Sequence, residues 1–363
     1  MWKDGVEISV AMSVSSVPEP CSSTVSVVIL NHDGMGVLLD CLGSVFSSGY
    51  PSLEVIVVDN GSTDGSADTA KREFPEIMLV KNRRNLGCGA GNNIGIGQAG
   101  GEYIVLLNND VFVTKGWLEA LLEASGRHVE AGFFQPKILL ADRRGVINSA
   151  GNMIHLAGFG LCRGIGEVDR GQYDQEARIG FGSGACLLVK RKALEDVGVL
   201  DPVYFAFNED TDWGWRAALR GWSSIYVPSS IVYHKLGYSW GGSLSHRKFY
   251  FLERNRILTI LKNYSTRSLI ILLPLLLLIE LSVLAFATSR RLFHEKARSY
   301  VDLVRLKHHL MAQRDFTQKR RRVSDSSVMK SYLLEIYPNY LGQIVEPFNR
   351  IICLFGRLLV SHI

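Results

Sequence analysis

The feature that most constrains the fold is a fourfold alternation of apolar runs and stretches with helical spacing near the start of the chain. The four pairs occupy residues 25–30 and 36–47, 53–59 and 64–73, 76–80 and 92–98, and 102–108 and 115–124. Continuous apolar runs rich in Val and Ile are typical of strands that are buried on both faces. Strands that alternate with helices over short connections predict an α/β fold with a mainly parallel, Rossmann-like sheet and helices on both faces.

The regular alternation ends near residue 130. Beyond it, apolar segments predict strands at residues 133–140, 185–189 and 224–227, and periodic segments predict helices at residues 209–219 and 246–261. Glycine-rich loops separate these segments, so we expect a second half of mixed strand direction. Residues 1–23, rich in Ser and Val and closed by Pro18 and Pro20, are predicted to form a disordered tail.

The hydrophobicity of the chain is concentrated in residues 268–287, where Glu280 is the one ionisable residue in twenty positions. That length is about enough to cross ~30 Å of hydrocarbon. The following residues, 288–330, hold twelve basic and four acidic residues, a net charge of +8 within a chain whose total is +5. We therefore expect residues 265–288 to form a membrane-associated or transmembrane helix, followed by basic and amphipathic helices over residues 289–363.

The position of the basic charge favours attachment to an anionic membrane at the cytoplasmic face of the cell membrane. A single span would place the basic tail outside, against the positive-inside rule, so a re-entrant or monotopic arrangement is favoured, with the apolar residues 351–360 as a second element. Because residues 1–287 have a net charge of −3, the chain gives no indication of nucleic-acid binding. Its six cysteines form no CxxC pair, so neither a disulfide framework nor a structural zinc site is indicated.

Polar residues follow the four predicted parallel strands, at the edge where such sheets bind ligands. They are Asn31, Asp59, Asn82 to Asn85, and the triplet Asn108-Asn109-Asp110. Asp59 either accepts the imino N–H of a pyrimidine base or caps a turn. The triplet offers the hard oxygen ligands that Mg²⁺ or Mn²⁺ prefers, or it forms a turn without an ion. His234, at the end of a later strand, is either structural or a metal ligand.

Two other segments carry candidate chemistry. The glycine-rich residues 85–95 lack the third glycine of a dinucleotide fingerprint, because Ile94 occupies that position, and are expected to form a flexible loop that approaches a nucleotide. In the helix over residues 209–219, Asp210 is a candidate general base. Asp212 and Arg216 are spaced for an i,i+4 ion pair that supports the helix.

Taken together, residues 25–264 resemble an inverting glycosyltransferase of family 2 with the GT-A fold, in its rhamnosyltransferase-like branch. The resemblance rests on six segments that occur in the family's order, at residues 25–34, 55–66, 85–110, 182–188, 208–222 and 233–242. It implies a glycosyltransferase domain over residues 24–264. Within it, a nucleotide-binding sheet would be followed by a mixed acceptor-side half, and membrane-associated helices would follow the domain.

The resemblance also implies a role for each matching residue. Asp210 would be the catalytic base, and Asp110 with His234 would bind a divalent metal, Mg²⁺ or Mn²⁺. The nucleotide-sugar would contact Asn31, Asp59, Asn85, Gly87, Asn93, Asn108 and Asn109. The acceptor side would include Gly182, Ser183, Gly184, Glu209 and Trp240. Asn108 stands where the family has the first Asp of its DxD motif, which removes one charge from the metal site.

The expected reaction moves a sugar from a nucleotide-diphosphate sugar, with UDP or dTDP favoured, to a saccharide or a lipid-linked acceptor in cell-envelope polysaccharide synthesis. An acceptor hydroxyl deprotonated by Asp210 would attack C1 from the side opposite the leaving group, in one displacement that inverts the anomeric centre. Two alternatives share the sheet. One is a nucleotidyltransferase, although the turn after the first strand offers only His32 for phosphate, and the other is an inactive membrane scaffold.

Overall fold

The computed structural model describes residues 25–235 and 244–330. The first part of the chain alternates strands and helices as predicted. Its elements are β1 (Val25–Asn31), α1 (Leu38–Ser47), β2 (Leu53–Asp59), α2 (Ser66–Glu73), β3 (Met78–Lys81), α3 (Cys88–Gln98), β4 (Tyr103–Asn108), β5 (Val111–Val113) and α4 (Trp117–Arg127). Residues 1–23, Trp240 and residues 351–360, for which the sequence makes predictions, lie outside the described residues.

The second part supplies a mixed set of strands around two helices. Its elements are β6 (Ala131–Leu140), β7 (Ile147–Ser149), β8 (Asn152–Ile154), β9 (Gly160–Cys162), β10 (Ala177–Ile179), β11 (Cys186–Lys190), α5 (Arg191–Val197), α6 (Glu209–Leu219) and β12 (Ser223–His234). The helix predicted at residues 209–219 is confirmed at both ends.

One large sheet runs through both parts, in the strand order β10-β12-β6-β11-β4-β1-β2-β3. Strands β3, β2, β1 and β4 are mutually parallel, whereas β11 runs antiparallel to both β4 and β6. In the register of the parallel half, Asn31 pairs with Asp59, and Leu30 pairs with Asn108. The predicted strand-end residues therefore meet at one edge of the sheet, and the expected α/β fold with a mainly parallel half and a mixed half is confirmed.

The glycine-rich segment after β3 is helical from Cys88 onward, so the expectation of a flexible loop over residues 85–95 is wrong for most of its length. Its glycines allow α3 to pack tightly on the sheet. A Cβ at Gly91 would lie 2.4 Å from a methyl of Leu30, and one at Gly95 would lie 2.3 Å from a methyl of Val28. Close helix packing, rather than loop mobility, therefore accounts for these two glycines.

Among the described residues, five helices follow the sheet and pack against one another and against α6. They are α7 (His246–Asn263), α8 (Thr266–Ser289), α9 (Phe293–Arg305), α10 (Lys307–Arg320) and α11 (Asp325–Met329). The apolar segment predicted from sequence forms α8, a helix of 24 residues that is long enough to cross a membrane and contains an 18-residue window with a mean hydropathy of 2.8. One face of α8 joins a core cluster with α6 and α7, through Leu272, Leu275 and Ile279.

A buried group of four charged residues ties α7, α8 and α9 together. Arg256 Nη2 donates to Glu280 Oε2 at 2.6 Å and to Glu253 Oε2 at 2.8 Å. Lys296 Nζ lies 2.6 Å from Glu253 Oε2 and also bonds Glu280. Each charge has an opposite partner, which is the condition under which charges can be buried. Glu280, isolated in the apolar sequence, is therefore paired in the fold.

Candidate functional site

A cavity of about 490 Å³ opens at the carboxyl ends of the parallel strands. Ten of the predicted site residues line it, drawn from both halves of the sheet and from α6. They are Asn85, Gly87, Asn108, Asn109, Asp110, Ser183, Gly184, Glu209, Asp210 and His234. The fold thus gathers residues that are up to 149 positions apart in the sequence around one space.

Asp110 and His234 are brought together because β5 pairs antiparallel with β12, with Val111 opposite His234. Asp110 Oδ1 lies 3.3 Å from His234 Nε2. That oxygen is buried and has no hydrogen-bond partner among the described residues. His234 Nδ1 lies 2.8 Å from Asn148 Oδ1, and if Nδ1 donates in this contact, Nε2 is left to bind an ion beside Asp110.

This pair fits a divalent ion. An oxygen and a nitrogen that can each ligate a metal lie 3.3 Å apart, and the second imidazole nitrogen contacts an amide oxygen, as is usual for histidines that bind metals. Among the described residues no group of three or more His, Cys, Asp or Glu side chains gathers as a metal site. The remaining ligands would therefore come from a bound diphosphate and water.

Behind this pair, Asn31 organises the edge of the sheet. Its side chain is fully buried, donates to Ser66 Oγ at 2.9 Å and accepts from Asn109 Nδ2 at 2.8 Å. Asn109 is thereby fixed next to Asp110. Asp59 is also buried and accepts a hydrogen bond from the Ser62 backbone N–H at 3.2 Å, the contact expected of a turn cap.

Asn60 is a cavity residue that the sequence reasoning missed. Its amide donates to Asn85 Oδ1 at 3.1 Å and to the Gly87 carbonyl at 3.2 Å, and its oxygen accepts from the Leu86 N–H at 3.0 Å. Gly87 has a φ of 85°, and a Cβ there would lie 2.4 Å from the Phe205 carbonyl oxygen. Only glycine fits this turn, which lies between the sheet edge and the loop before α6.

Asp210 lies in the first turn of α6. Its Oδ2 accepts from the Gly184 N–H at 3.2 Å, and its Oδ1 accepts from the Thr211 N–H at 2.7 Å. Burial nevertheless raises the pKa of the Asp210 carboxyl above its ordinary value. Burial, together with the charge of Asp210, also raises the pKa of Glu209. Two adjacent carboxyl groups that resist ionisation in a cavity form a strong candidate for acid–base chemistry.

The loop that leads into α6 adopts an unusual backbone conformation, with φ values of 63° at Phe205, 66° at Phe207 and 65° at Asn208. It is held by α7. Asn255 is fully buried, and its Nδ2 lies within 2.9 Å of the carbonyl oxygens of residues 204, 206 and 207. Arg254 Nη2 donates to the carbonyls of residues 203 and 204. Because such conformations are costly, the loop depends on these contacts to present Asp210.

The remaining predicted residues lie elsewhere. Asn31, Asp59, Asn93 and Gly182 are not among the described residues of the cavity lining. Asn93 instead exchanges two hydrogen bonds with the backbone of Leu200. Arg247 and Lys248, in the first turn of α7, line the cavity but were not predicted, since the sequence places them beyond the last family segment.

Asp212 and Arg216 form the predicted i,i+4 ion pair, with 2.9 Å between Arg216 Nε and Asp212 Oδ2. Lys262 Nζ lies 2.8 Å from the same carboxylate oxygen. Asp212 is fully buried, and its pKa is lowered by these two cations against the effect of burial. The pair therefore joins α6 to α7 and has a structural role.

Comparison with known proteins agrees with this geometry. Residues 26–198 match the model for Glycosyl transferase family 2. The chain is 34% identical over 212 residues to the N-acetylglucosaminyl-diphospho-decaprenol L-rhamnosyltransferase of Mycobacterium tuberculosis, a match that covers 52% of this chain and 68% of the relative. The chain belongs to glycosyltransferase family 2. It is thus an enzyme that transfers a sugar from a nucleotide sugar, which decides against a nucleotidyltransferase.

Two further similarities are more distant. Glycosyltransferase AglE of Haloferax volcanii is 26% identical over 228 residues, covering 58% of this chain and 66% of the relative. The crystal structure of GalNAc-T7 with UDP, GalNAc and Mn²⁺ superposes with a TM-score of 0.51 at 17% identity, covering 66% of this chain and 47% of that one. The last similarity concerns the fold alone and is consistent with the GT-A architecture.

Proposed function

We propose that this glycosyltransferase moves a sugar from a UDP- or dTDP-sugar to a saccharide or lipid-linked acceptor, with inversion at the anomeric carbon and with the help of Mg²⁺ or Mn²⁺. The observation that carries the proposal is that one cavity holds both the Asp110–His234 pair and Asp210. A leaving group can thus be bound and a nucleophile deprotonated in the same space. The Mycobacterium tuberculosis relative, whose name specifies a diphospho-decaprenol acceptor, supports the acceptor class.

Asp110 and His234 would hold the divalent ion, which when bound neutralises the charge that develops on the departing diphosphate. Asn148 Oδ1, 2.8 Å from His234 Nδ1, would keep the imidazole in the tautomer that this requires. Asn31 and Asn109 hold the edge of the sheet in place beside the ion. Because Asn108 replaces an acidic residue of the family motif, Asp110 supplies the one negative charge of the triplet.

The nucleoside would lie along the edge formed by Asp59, Asn60, Asn85 and Gly87. Asp59 offers a buried carboxylate there, and the Asn60 network fixes the shape of the turn that would contact the nucleoside. Gly87 permits the close approach of the turn to the loop before α6. In this proposal Asn93 acts indirectly, by anchoring α3 to Leu200.

Asp210 would remove the proton from the acceptor hydroxyl. The hydroxyl oxygen forms a bond to C1 as the bond from C1 to the diphosphate oxygen breaks, and the proton moves to the Asp210 carboxylate. The raised pKa of this carboxyl makes it a stronger base than an ordinary aspartate. Ser183, Gly184 and Glu209 border the same part of the cavity and would contact the acceptor.

Arg247 and Lys248 are the Arg and Lys side chains among the described residues of the cavity lining. Burial lowers the pKa of Lys248, and an anionic ligand in the cavity would stabilise its charged form. Because the ion held by Asp110 and His234 would serve the donor diphosphate, we assign these two cations to the phosphate of the acceptor. Together with α8, this assignment supports action at the cytoplasmic face of a membrane.

The proposal is tested by assaying hydrolysis and transfer with a panel of UDP-, dTDP- and GDP-sugars, with Mn²⁺, in lipid extracts. Asp210→Asn should lower transfer by about 10²–10⁴-fold, the usual contribution of a general base, while donor affinity measured by calorimetry stays nearly unchanged. Asp315→Asn, an exposed carboxylate on α10, is the matched control and should keep full activity. Near-normal turnover of Asp210→Asn would remove Asp210 from this role, and no turnover of any donor by the native chain would support the inactive scaffold.

A further inference from the structure

The outer face of α8 is unusual for a helix at a protein surface. Between residues 268 and 287, seven residues are exposed, and all seven are apolar: Ile270, Leu273, Pro274, Leu277, Leu278, Leu281 and Ala285. The exposed fraction reaches 67% at Ile270 and 64% at Leu281. A helix on a soluble surface presents polar residues outward, so this face is suited to a nonaqueous environment.

The opposite face of α8 packs against the catalytic domain. Leu272, Leu275 and Ile279 are at most 2% exposed and share a cluster with Trp215 of α6 and Tyr264, which follows α7. Glu280 on α8 also supplies a carboxylate to Arg256 and Lys296. If α8 crossed a bilayer away from the domain, both cations would remain buried with Glu253 as their one described acidic partner. These contacts hold α8 along the side of the domain.

We propose that α8 lies in the plane of the membrane surface, with its inner face on the catalytic domain and its exposed apolar face inserted among lipid acyl chains. The inference deepens the membrane location in the proposed function, on which it rests for its biological setting. It selects the monotopic arrangement over the transmembrane helix. Residues 288–330, with their net charge of +8, then stay on the same side of the membrane as the cavity.

Charge at the two ends of α8 identifies the occupant as an anionic bilayer rather than a second copy of the chain. Arg267 is exposed at the start of the apolar face, and Arg290 and Arg291 are exposed just after its end. Arginines in these positions can reach lipid phosphates while the residues between them insert. In a symmetric dimer packed through this face, parallel or antiparallel, arginines would meet arginines, which opposes association.

The same orientation brings the cavity to the membrane. Phe249, in the first turns of α7, packs against Ala287 and Leu292 at the end of α8. Arg247 and Lys248, which line the cavity, occupy the turn before Phe249. The cationic edge of the cavity thus lies beside the inserted helix. A diphosphate at the headgroup level of a lipid carrier would meet these two side chains without leaving the bilayer.

Vesicle flotation tests the inserted face. The native chain should float with vesicles of phosphatidylcholine that contain phosphatidylglycerol, and less with phosphatidylcholine alone. Leu277→Glu with Leu281→Glu should weaken binding at least about tenfold, because two inserted side chains become charged. Val129→Glu with Val168→Glu places the same two charges at positions that are 76% and 53% exposed and remote in sequence, and should bind as the native chain does. A native chain that does not float, or that forms a dimer dissociated by the Leu277→Glu substitution, would overturn the proposal.

Cysteine labelling separates an in-plane helix from a span. In a chain whose six native cysteines are replaced, Thr266→Cys and Ser289→Cys place single thiols at the two exposed ends of α8. A membrane-impermeant maleimide should label both in inverted vesicles and neither in intact spheroplasts. Labelling of one end from each side would show a span and overturn the proposal. Neither readout requires turnover, so failure of the proposed activity would leave this test intact.

Discussion

Asn255 links the C-terminal helices to the loop that leads into α6. It is fully buried on α7, and its Nδ2 lies 2.9 Å, 2.8 Å and 2.7 Å from the carbonyl oxygens of residues 204, 206 and 207. We predict that Asn255→Leu, which roughly preserves volume and removes the donor, releases the loop that presents Asp210. The expected result is a large loss of kcat with a smaller effect on donor binding.

The size of the effect follows from the contacts. All three carbonyls lose the Asn255 amide, but the Tyr204 carbonyl keeps its bond from Arg254 Nη2 at 2.9 Å, and residue 207 is only half-buried. Depriving the buried Ala206 carbonyl of its donor costs about 1–3 kcal/mol. Because the positive φ angles of Phe205 and Phe207 are energetically costly, the loop is expected to change conformation when these bonds are lost. If only about 1.4 kcal/mol of this cost is added to the activation free energy of the step in which Asp210 acts, kcat falls about tenfold.

The assay compares initial rates and thermal unfolding of Asn255→Leu with those of Leu258→Ala. Leu258 is a fully buried residue of the same helix whose side chain has no hydrogen-bonding group. Its truncation should cost a similar 2–5 kcal/mol, roughly, through a cavity and leave the loop bonds intact. If both variants lose stability equally and kcat falls no further in Asn255→Leu than in Leu258→Ala, Asn255 has no positioning role.

Three further predictions concern the cavity. Because burial raises the pKa of Asp210 and the proposed base must be ionised, the acid limb of the rate profile should lie above the ordinary range for aspartate. A raised pKa also means that stability is lost as pH rises through it, so Asp210→Asn should unfold at a higher temperature than the native chain at neutral pH and lose this advantage in acid. Asn148→Leu should weaken Mn²⁺ binding about tenfold in calorimetry with UDP present, since it frees the His234 ring; unchanged affinity would argue against His234 as a ligand. Lys248→Met should raise the KM for a diphosphate-linked acceptor and not for the donor, and the reverse pattern would move Lys248 to the donor side.

Strands and helices that are determined by their own residues could be predicted from the sequence. Strands β1, β2 and β4 are buried on both faces, which is why they are continuous apolar runs. Helix α6 has local signals at both ends. Three acidic residues occupy its first turn, and Gly221, with a φ of 92°, follows its last turn. Strand β3 is partly exposed and carries a weaker apolar signal, and it begins two residues later than predicted.

Features that depend on distant partners were not predictable. The sequence of α7 carries Glu253, Arg254, Arg256 and Lys262, which an amphipathic pattern assigns to solvent, yet each is at most 8% exposed. Each of them has a partner on the loop before α6, on α8 or on α9, between 24 and 61 positions away. For the same reason the sequence around Asn255 does not predict its contacts with the loop before α6. A run of charges inside an otherwise apolar helix is the one local sign that it serves a buried interface.

The contacts of α10 also bear on how short an active form of this enzyme can be. His309 Nε2 lies 3.0 Å from Asp201 Oδ1, and Arg314 donates to the Tyr264 carbonyl at 2.6 Å. The family match ends at residue 198, before Asp210, His234 and every helix that supports them. A gene fragment trimmed to that match would lack α6 and strand β12, which lies inside the sheet, and would encode an incomplete site. Truncation after residue 264 would remove His309 from Asp201 and Arg314 from the Tyr264 carbonyl, so the smallest competent enzyme is expected to extend through α10.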